Sequence, residues 1–167
     1  MKNIVLIGLP GAGKSTIGVI LAKTLGMNFV DTDIIIQEKT GRFLQAIIDE
    51  DGPARFLEIE EQNILGLKVT NTVIATGGSV VYSDAAMNHL GSGSFVAYLK
   101  ISFEEMRKRL KNIKTRGVVM IPGQSLHDMV DQRTPLYEKY ADVTIDCTDE
   151  DFESVVEKVV EKIQKEG

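Results

Sequence analysis

One short motif constrains the fold more than any other feature of the chain. Residues 8–15 read GLPGAGKS and fit the pattern G-x-x-x-x-G-K-[S/T]. A continuous apolar run, Ile4–Ile7, precedes the motif, and a helical pattern, Lys14–Leu25, follows it. A short apolar run of this kind is typical of a strand that is buried on both faces of a parallel sheet. The motif therefore predicts a glycine-rich turn between a buried strand and the N-terminus of a helix.

The residue types in this turn are those that bind a triphosphate. Glycines allow successive backbone N–H groups to turn inward around phosphate oxygens, and the positive end of the following helix points at the same anion. In this pattern the lysine, here Lys14, reaches the β- and γ-phosphates, and the hydroxyl of Ser15 can bind Mg²⁺. The alternative is a glycine-rich turn that binds nothing, and the Lys-Ser pair in register argues against it. We expect a bound nucleoside triphosphate.

The rest of the chain alternates between strand and helix patterns, which predicts an α/β fold with a five-stranded parallel sheet flanked by helices. The expected loop covers Asn112–Gln124. The expected strands are Ile4–Ile7, Met27–Val30, Thr72–Thr76, Phe95–Leu99 and Val143–Ile145, and the expected helices are Lys14–Leu25, Ile34–Lys39, Phe43–Asp49, Pro53–Gly66, Asp84–Leu90, Phe103–Leu110, Ser125–Tyr140 and Phe152–Gln164.

Length and charge narrow the class of protein. A chain of 167 residues fits one domain. The net charge of −5 argues against a general nucleic-acid or anionic-membrane surface. No apolar stretch approaches the about 20 residues of a membrane span, and the single cysteine, Cys147, allows no internal disulfide. We expect a soluble, cytoplasmic monomer with no nucleic-acid or membrane partner.

Two aspartates mark the end of the second expected strand. Asp31 and Asp33 follow Phe29-Val30, and the third strand ends in Thr76-Gly77-Gly78 without an acid. If the strand continues, carboxylates at positions i and i+2 point to opposite sides, so one is free for a metal and the other for an acceptor hydroxyl. The alternative is a pair of solvated turn residues that cap the next helix.

Four stretches together resemble the shikimate kinase family of small-molecule kinases. They are Gly8–Gly18 (GLPGAGKSTIG), Phe29–Asp33 (FVDTD), Thr76–Gly78 (TGG) and Arg133–Asp142 (RTPLYEKYAD). The resemblance implies a P-loop NTPase fold of the nucleoside-monophosphate-kinase type in a single domain. It also implies a lid at about residues 111–124, a substrate-binding helical segment at about residues 33–62, and transfer of a phosphoryl group from ATP, with Mg²⁺, to a hydroxyl of shikimate.

The resemblance implies a role for each matched residue. Lys14, Asp33 and the lid arginine Arg116 match the catalytic positions, and Arg116 is also expected to reach the ATP phosphates. Asp33, Gly78 and Arg133 match positions that bind the acceptor, with Arg133 on its carboxylate. Ser15 and Asp31 match the magnesium positions, and the phosphate-binding positions are matched by Gly11, Ala12, Gly13, Lys14, Ser15 and Thr16.

The acceptor half departs from the family pattern G-E-x-x-F-R-x-x-E. Residues 52–60 read GPARFLEIE, so Leu57 stands where the pattern has an arginine that clamps the shikimate carboxylate. Arg55 lies two residues earlier, about 200° around a helix, and cannot simply replace it. The third glycine of the family is Ser79, and Gly117 stands where the family normally has proline.

These departures leave several functions open. The chain is either a shikimate kinase that rebuilds the clamp, for example from Arg42 or Arg55, or a kinase of another polyol. A third alternative is an ATP-binding family member without kinase activity, and a fourth is a nucleoside-monophosphate kinase of the same fold. Six cations within residues 107–116 lack the interleaved aromatic residues of a nucleic-acid site, so we expect Arg109 and Arg116 to act in the lid.

Overall fold

The computed structural model describes residues 2–110 and 118–166. Within these residues the helices and strands alternate as the sequence predicts. The strands are β1 (Asn3–Ile7), β2 (Asn28–Asp31), β3 (Thr72–Ala75), β4 (Ser94–Lys100) and β5 (Val143–Asp146), and the helices are α1 (Lys14–Leu25), α2 (Thr32–Thr40), α3 (Leu44–Asp51), α4 (Pro53–Leu65), α5 (Asp84–Gly91), α6 (Phe103–Arg109), α7 (Leu126–Tyr140) and α8 (Phe152–Glu166).

The five strands form one parallel sheet, as the sequence predicts. Their order is β2-β3-β1-β4-β5, so β1 lies at the centre. In this position β1 pairs with β3 on one side and with β4 on the other. Helices cover both faces of a sheet built this way, which explains why Ile4–Ile7 is a continuous apolar run with 2% exposure or less.

The apolar residues form two clusters. The larger cluster contains residues of the sheet and of α1, α5, α7 and α8. The smaller one is built around α2, α3 and α4, with Ile36, Ile47 and Phe56 fully buried, and Val119 packs into it. The helical segment that follows β2 therefore has an apolar core of its own.

The structure corrects the prediction for the aspartate pair. Strand β2 ends at Asp31 and α2 begins at Thr32. The strand does not continue, so strand alternation does not explain how Asp31 and Asp33 are oriented. Asp33 lies in the first turn of α2, and Asp31 is the N-cap residue of that helix.

Two further regions are the turn after β3 and the expected loop at residues 112–124. A short 3₁₀ turn, Val80–Tyr82, which the sequence pattern did not indicate, follows the glycines after β3. Of the expected loop, residues 112–117 lie outside the described part of the chain, and residues 118–124 contain no helix or strand. Among the described helices, none combines the length and the apolar character that a membrane span requires.

Candidate active site

A cleft of about 630 Å³ opens at the carboxyl ends of β1, β2 and β3. Ligand sites in parallel α/β sheets lie at this edge, because the loops that leave the strands converge there. One end of the cleft is lined by the glycine-rich turn after β1. The other end is lined by α2, α4, the turn after β3, and Arg133 of α7.

The glycine-rich turn leads into an uncapped helix N-terminus. Gly11 and Gly13 have φ angles of 85° and 86°, which favour glycine over other residues. Gly13 is the N-cap of α1, and within the described chain no side chain caps that helix and no acid lies in its first turn. The first N–H groups of α1 are therefore available to an anion, as the sequence predicts for residues 11–16.

Lys14 lies against its own turn. Its side chain is 8% exposed, and its Nζ donates hydrogen bonds to the carbonyl oxygens of Gly8 at 2.7 Å and Leu9 at 2.9 Å. Both carbonyls belong to the phosphate-binding turn. The amino group is thus held at the turn where the motif places the β- and γ-phosphates.

Ser15 and Asp31 lie together beside this turn. The Ser15 hydroxyl donates to Oδ2 of Asp31 at 2.5 Å. The other carboxylate oxygen of Asp31 accepts from the backbone N–H groups of Asp33 at 2.9 Å and Ile34 at 3.3 Å. Asp31 therefore caps α2 and faces Ser15 at the same time, so the capping alternative and the metal alternative are compatible.

This pair fits a magnesium ion by the chemistry of its donors. Mg²⁺ binds hard oxygen ligands and usually takes only one or two from the protein, with the rest from phosphates and water. A hydroxyl and a carboxylate beside a phosphate turn match that preference. The described residues contain no group of three or more acids, histidines or cysteines that would hold a metal by themselves.

Asp33 and Glu60 place two carboxyl groups at the end of the cleft that α2 and α4 line. Burial, together with the negative charge of Asp31, raises the pKa of Asp33 to about 6, although Lys14 opposes the shift. Burial and the charge of Asp33 raise the pKa of Glu60 to about 8. Glu60 is 2% exposed, and its Oε1 accepts a hydrogen bond from the Ser79 hydroxyl at 2.8 Å.

Arg133 approaches the cleft from α7. It is 1% exposed, donates to the carbonyl oxygen of Val119 at 2.6 Å, and lies 5.2 Å from the ring centre of Tyr82. Gly78 lies beside it, where a Cβ would stand 3.0 Å from Nη1 of Arg133 and 2.9 Å from Pro10. Only a residue without a side chain fits between the phosphate turn and this guanidinium.

Two arginines that the sequence offered for the clamp do not line the cleft. Arg42 forms ion pairs with Glu50 and Asp51, and Arg55 pairs with Glu58 on the exposed side of α4. Neither side chain is among those that surround the cleft, so neither rebuilds the clamp in this conformation. Arg116 lies outside the described residues.

The structure also brings in one residue that sequence reasoning did not place in the site, and it brings Arg109 to the glycine-rich turn. Phe152, the first residue of α8, lines the cleft, and a Cβ on Gly13 would stand 2.8 Å from its ring. Arg109 donates to the carbonyl oxygen of Gly11 at 2.8 Å. No local pattern marks Phe152, because its place in the site depends on how α8 packs. Arg109 was indicated only by the cation run.

A phosphate turn and an acceptor pocket that share one cleft define a class of protein, the P-loop kinases of small molecules. The family model for shikimate kinases matches residues 10–164, nearly the whole chain. The chain belongs to the shikimate kinase family.

Individual relatives agree with this assignment. The shikimate kinase of Thermodesulfovibrio yellowstonii is 38% identical over 168 residues, which cover 99% of this chain and 96% of that enzyme. The solved structure of shikimate kinase from Acinetobacter baumannii in complex with shikimate matches with a TM-score of 0.92 and 31% identity, over 99% of this chain and 94% of that one. Thymidylate kinase from Candida albicans, at a TM-score of 0.63 and 14% identity over 99% and 92% of the two chains, shares the fold alone.

Proposed function

We propose that this chain transfers the γ-phosphoryl group of ATP to a hydroxyl of shikimate, which yields ADP and shikimate 3-phosphate. Membership of the shikimate kinase family supports the reaction. The observation that carries it onto these residues is that Lys14, Asp33 and Arg133 line the same cleft. In this proposal Lys14 serves the phosphates, Asp33 serves the acceptor hydroxyl, and Arg133 serves the carboxylate.

At the nucleotide end, the backbone N–H groups of residues 11–16 bind the phosphates and Lys14 neutralises the β- and γ-phosphate charge. Ser15 and Asp31 would hold Mg²⁺, which when bound spreads charge across the phosphate oxygens. The ring of Phe152 and the guanidinium of Arg109 line the cleft near this turn. Both are planar groups suited to stack on the base of the nucleotide.

At the acceptor end, Asp33 accepts the proton of the acceptor hydroxyl. The hydroxyl oxygen then forms its bond to the γ-phosphorus, while the bond from that phosphorus to the β–γ bridging oxygen breaks and ADP leaves. Arg133 binds the carboxylate of shikimate, and the bare side of Gly78 lets the substrate approach the backbone.

The wider organisation belongs to the same proposal. We assign residues 1–167 to one kinase domain, residues 33–62 to the acceptor-binding segment, and residues 111–124 to a lid whose Arg116 reaches the phosphates in the closed state. The net charge of −5 supports the absence of a nucleic-acid partner. We propose a cytoplasmic monomer, and size-exclusion chromatography with light scattering tests its oligomeric state.

Coupled ADP release with ATP and Mg²⁺, with and without shikimate, tests the function. We expect saturable release that depends on shikimate, with shikimate 3-phosphate detected by mass spectrometry. Asp33→Asn is expected to lose this turnover while ATP still binds, whereas Asp49→Asn on the exposed side of α3 retains it. Tight ATP binding without any response to shikimate would contradict the proposed acceptor.

One observation favours a second acceptor class. Leu57 removes one carboxylate ligand of the family pattern, and the structure keeps Arg42 and Arg55 in ion pairs away from the cleft. A polyol without a carboxylate would lose less from this change than shikimate does. A panel of uncharged polyols in the same assay would show higher kcat/KM than shikimate if that class is the true acceptor.

A further inference from the structure

Glu60 is a buried carboxyl group that the proposed reaction does not use. It lines the acceptor end of the cleft and is 2% exposed. Its Oε1 accepts from Ser79, but its Oε2 has no hydrogen-bond partner among the described residues. A buried polar atom without a partner is costly, so its retention in the wall of a cleft needs a physical reason.

The position of Oε2 relative to Asp33 supplies that reason. A Cβ on Gly77 would stand 2.7 Å from Oε2 of Glu60 and 2.7 Å from Oδ1 of Asp33. The two carboxyl oxygens therefore converge on the bare side of Gly77. The two oxygens therefore lie at most twice that distance apart, a span that one hydroxyl can bridge with two hydrogen bonds of ordinary length.

The protonation state of Glu60 fits this geometry. The raised pKa of Glu60, about 8, gives it a proton at neutral pH. Because Oε1 already accepts from Ser79, the proton belongs on Oε2, which then donates a hydrogen bond. An acceptor hydroxyl can donate to the carboxylate of Asp33 and accept from Oε2 of Glu60 at the same time.

We propose that Glu60 binds a hydroxyl of the acceptor through Oε2, and that Ser79 is a positioning residue that holds Glu60 in place. Together they make the acceptor pocket select a hydroxyl-bearing ring. The inference rests on the proposed function and adds a specificity-determining residue to it.

The two departures from the family pattern support the link between these residues. An arginine at position 57 would lie three residues before Glu60 on α4, within reach of its carboxyl. Here Leu57 is neutral and packs on the smaller apolar cluster, while residue 79 is a serine whose hydroxyl reaches Glu60. A hydroxyl donor on one oxygen leaves the other oxygen free to face the substrate.

The first arm of the test compares three variants on shikimate binding, measured by calorimetry in the presence of ADP. Glu60→Met removes the hydrogen bond and is expected to weaken shikimate binding about three- to tenfold. Glu60→Gln keeps a donor and an acceptor and is expected to bind shikimate nearly as well as the native chain. Glu58→Met, on the exposed side of the same helix, is the matched control and is expected to change nothing.

The second arm uses shikimate analogues that lack the 3-, 4- or 5-hydroxyl. One of these analogues lacks the hydroxyl that Glu60 binds. The native chain and Glu60→Met should bind that analogue with equal affinity. Ser79→Ala should show the same pattern with a smaller loss. If Glu60→Met weakens all analogues equally, or none, the inference is wrong. If the native chain does not bind shikimate at all, the proposed acceptor fails and the inference fails with it.

Discussion

Under the proposed function, Lys14 exchanges hydrogen bonds to its own turn for bonds to phosphate when a nucleotide binds. Its amino group donates to two carbonyl oxygens of the glycine-rich turn, at 2.7 Å and 2.9 Å. Phosphate oxygens carry more charge than carbonyls and make stronger hydrogen bonds with an ammonium group. The turn therefore holds the lysine close to the position from which, under the proposed function, it neutralises the transferring phosphoryl group.

Lys14→Ala is expected to lower the rate of ADP release by at least about 10²–10³-fold, the range found when one preorganised charge-stabilising donor is removed. The fold should persist, because the alanine leaves the apolar core untouched. Steady-state kinetics and circular dichroism check the two parts. Lys23→Ala, in the last turn of the same helix, is the control and should retain activity, and a Lys14→Ala variant with native turnover would contradict the assignment.

A substitution of Leu57 tests how the proposed acceptor pocket recognises a carboxylate. An arginine there would add a charge-assisted hydrogen bond for a carboxylate, worth about 1.5–3 kcal/mol before the loss of leucine packing is subtracted. Leu57→Arg is therefore expected to lower the KM for shikimate about tenfold and to leave the KM for ATP unchanged. Leu65→Arg, at the more exposed end of α4, is the control. A shikimate KM that falls equally in both variants would show a general charge effect.

At the scale of elements, the turn after β3 leaves no room for a side chain at one of its two glycines. Gly77 does not need glycine for its φ angle, but a Cβ there would stand 2.7 Å from both Asp33 and Glu60. The bare side of this glycine thus faces the carboxyl groups of both α2 and α4. Any side chain at this position must push one of them out of place.

Gly77→Ala is expected to raise the KM for shikimate and lower kcat, with little effect on ATP binding, because the displaced groups lie at the acceptor end. Enzyme kinetics with each substrate varied in turn measure this separation. Gly91→Ala is the matched control, since a Cβ there would meet its nearest neighbour only at 4.0 Å. Native shikimate kinetics in Gly77→Ala would show that the carboxyl groups do not hold the substrate.

The same elements show how far sequence reasoning reaches. The motif at residues 8–15 and the predicted helix Lys14–Leu25 were confirmed because both depend on local patterns: glycines at a turn and apolar spacing in a helix. The prediction for Asp31 and Asp33 assumed that the strand continues past Asp31. That assumption was wrong, because β2 ends at Asp31 and strand ends are set by pairing with the neighbouring strand, here β3. The hydrogen bond between Ser79 and Glu60 joins residues 19 positions apart, and no local pattern encodes it.

At the scale of the whole molecule, the cleft is lined by residues from two apolar clusters. Leu9 and Ala12 of the glycine-rich turn belong to the larger cluster, which contains the sheet. Leu44 and Phe56, on the acceptor side of the cleft, belong to the smaller cluster of α2, α3 and α4. A cleft between separately packed clusters can change width without unpacking either one, which suits an enzyme that must exclude water after both substrates bind.

The buried carboxyl of Glu60 also makes the free energy of unfolding of the whole chain depend on pH. Its pKa is about 8 in the folded chain against an ordinary value of 4.5, so between pH 6 and pH 8 the folded state holds a proton that the unfolded state has lost. Unfolding then releases a proton, and a rising pH favours unfolding. One such proton makes the free energy of unfolding fall by at most about 1.4 kcal/mol per pH unit.

Glu60→Gln is therefore expected to flatten the pH dependence of stability between pH 6 and pH 8, and to be relatively more stable towards pH 8. Urea unfolding at several pH values, without ligands, measures the slope for each chain. Glu58→Gln, which removes an exposed carboxylate from the same helix, should keep the native slope. If the native chain and Glu60→Gln gave parallel curves, the carboxyl of Glu60 would already be ionised at neutral pH. It could then not donate a hydrogen bond to the acceptor, so this stability measurement also tests the proton assigned to Oε2 without any substrate present.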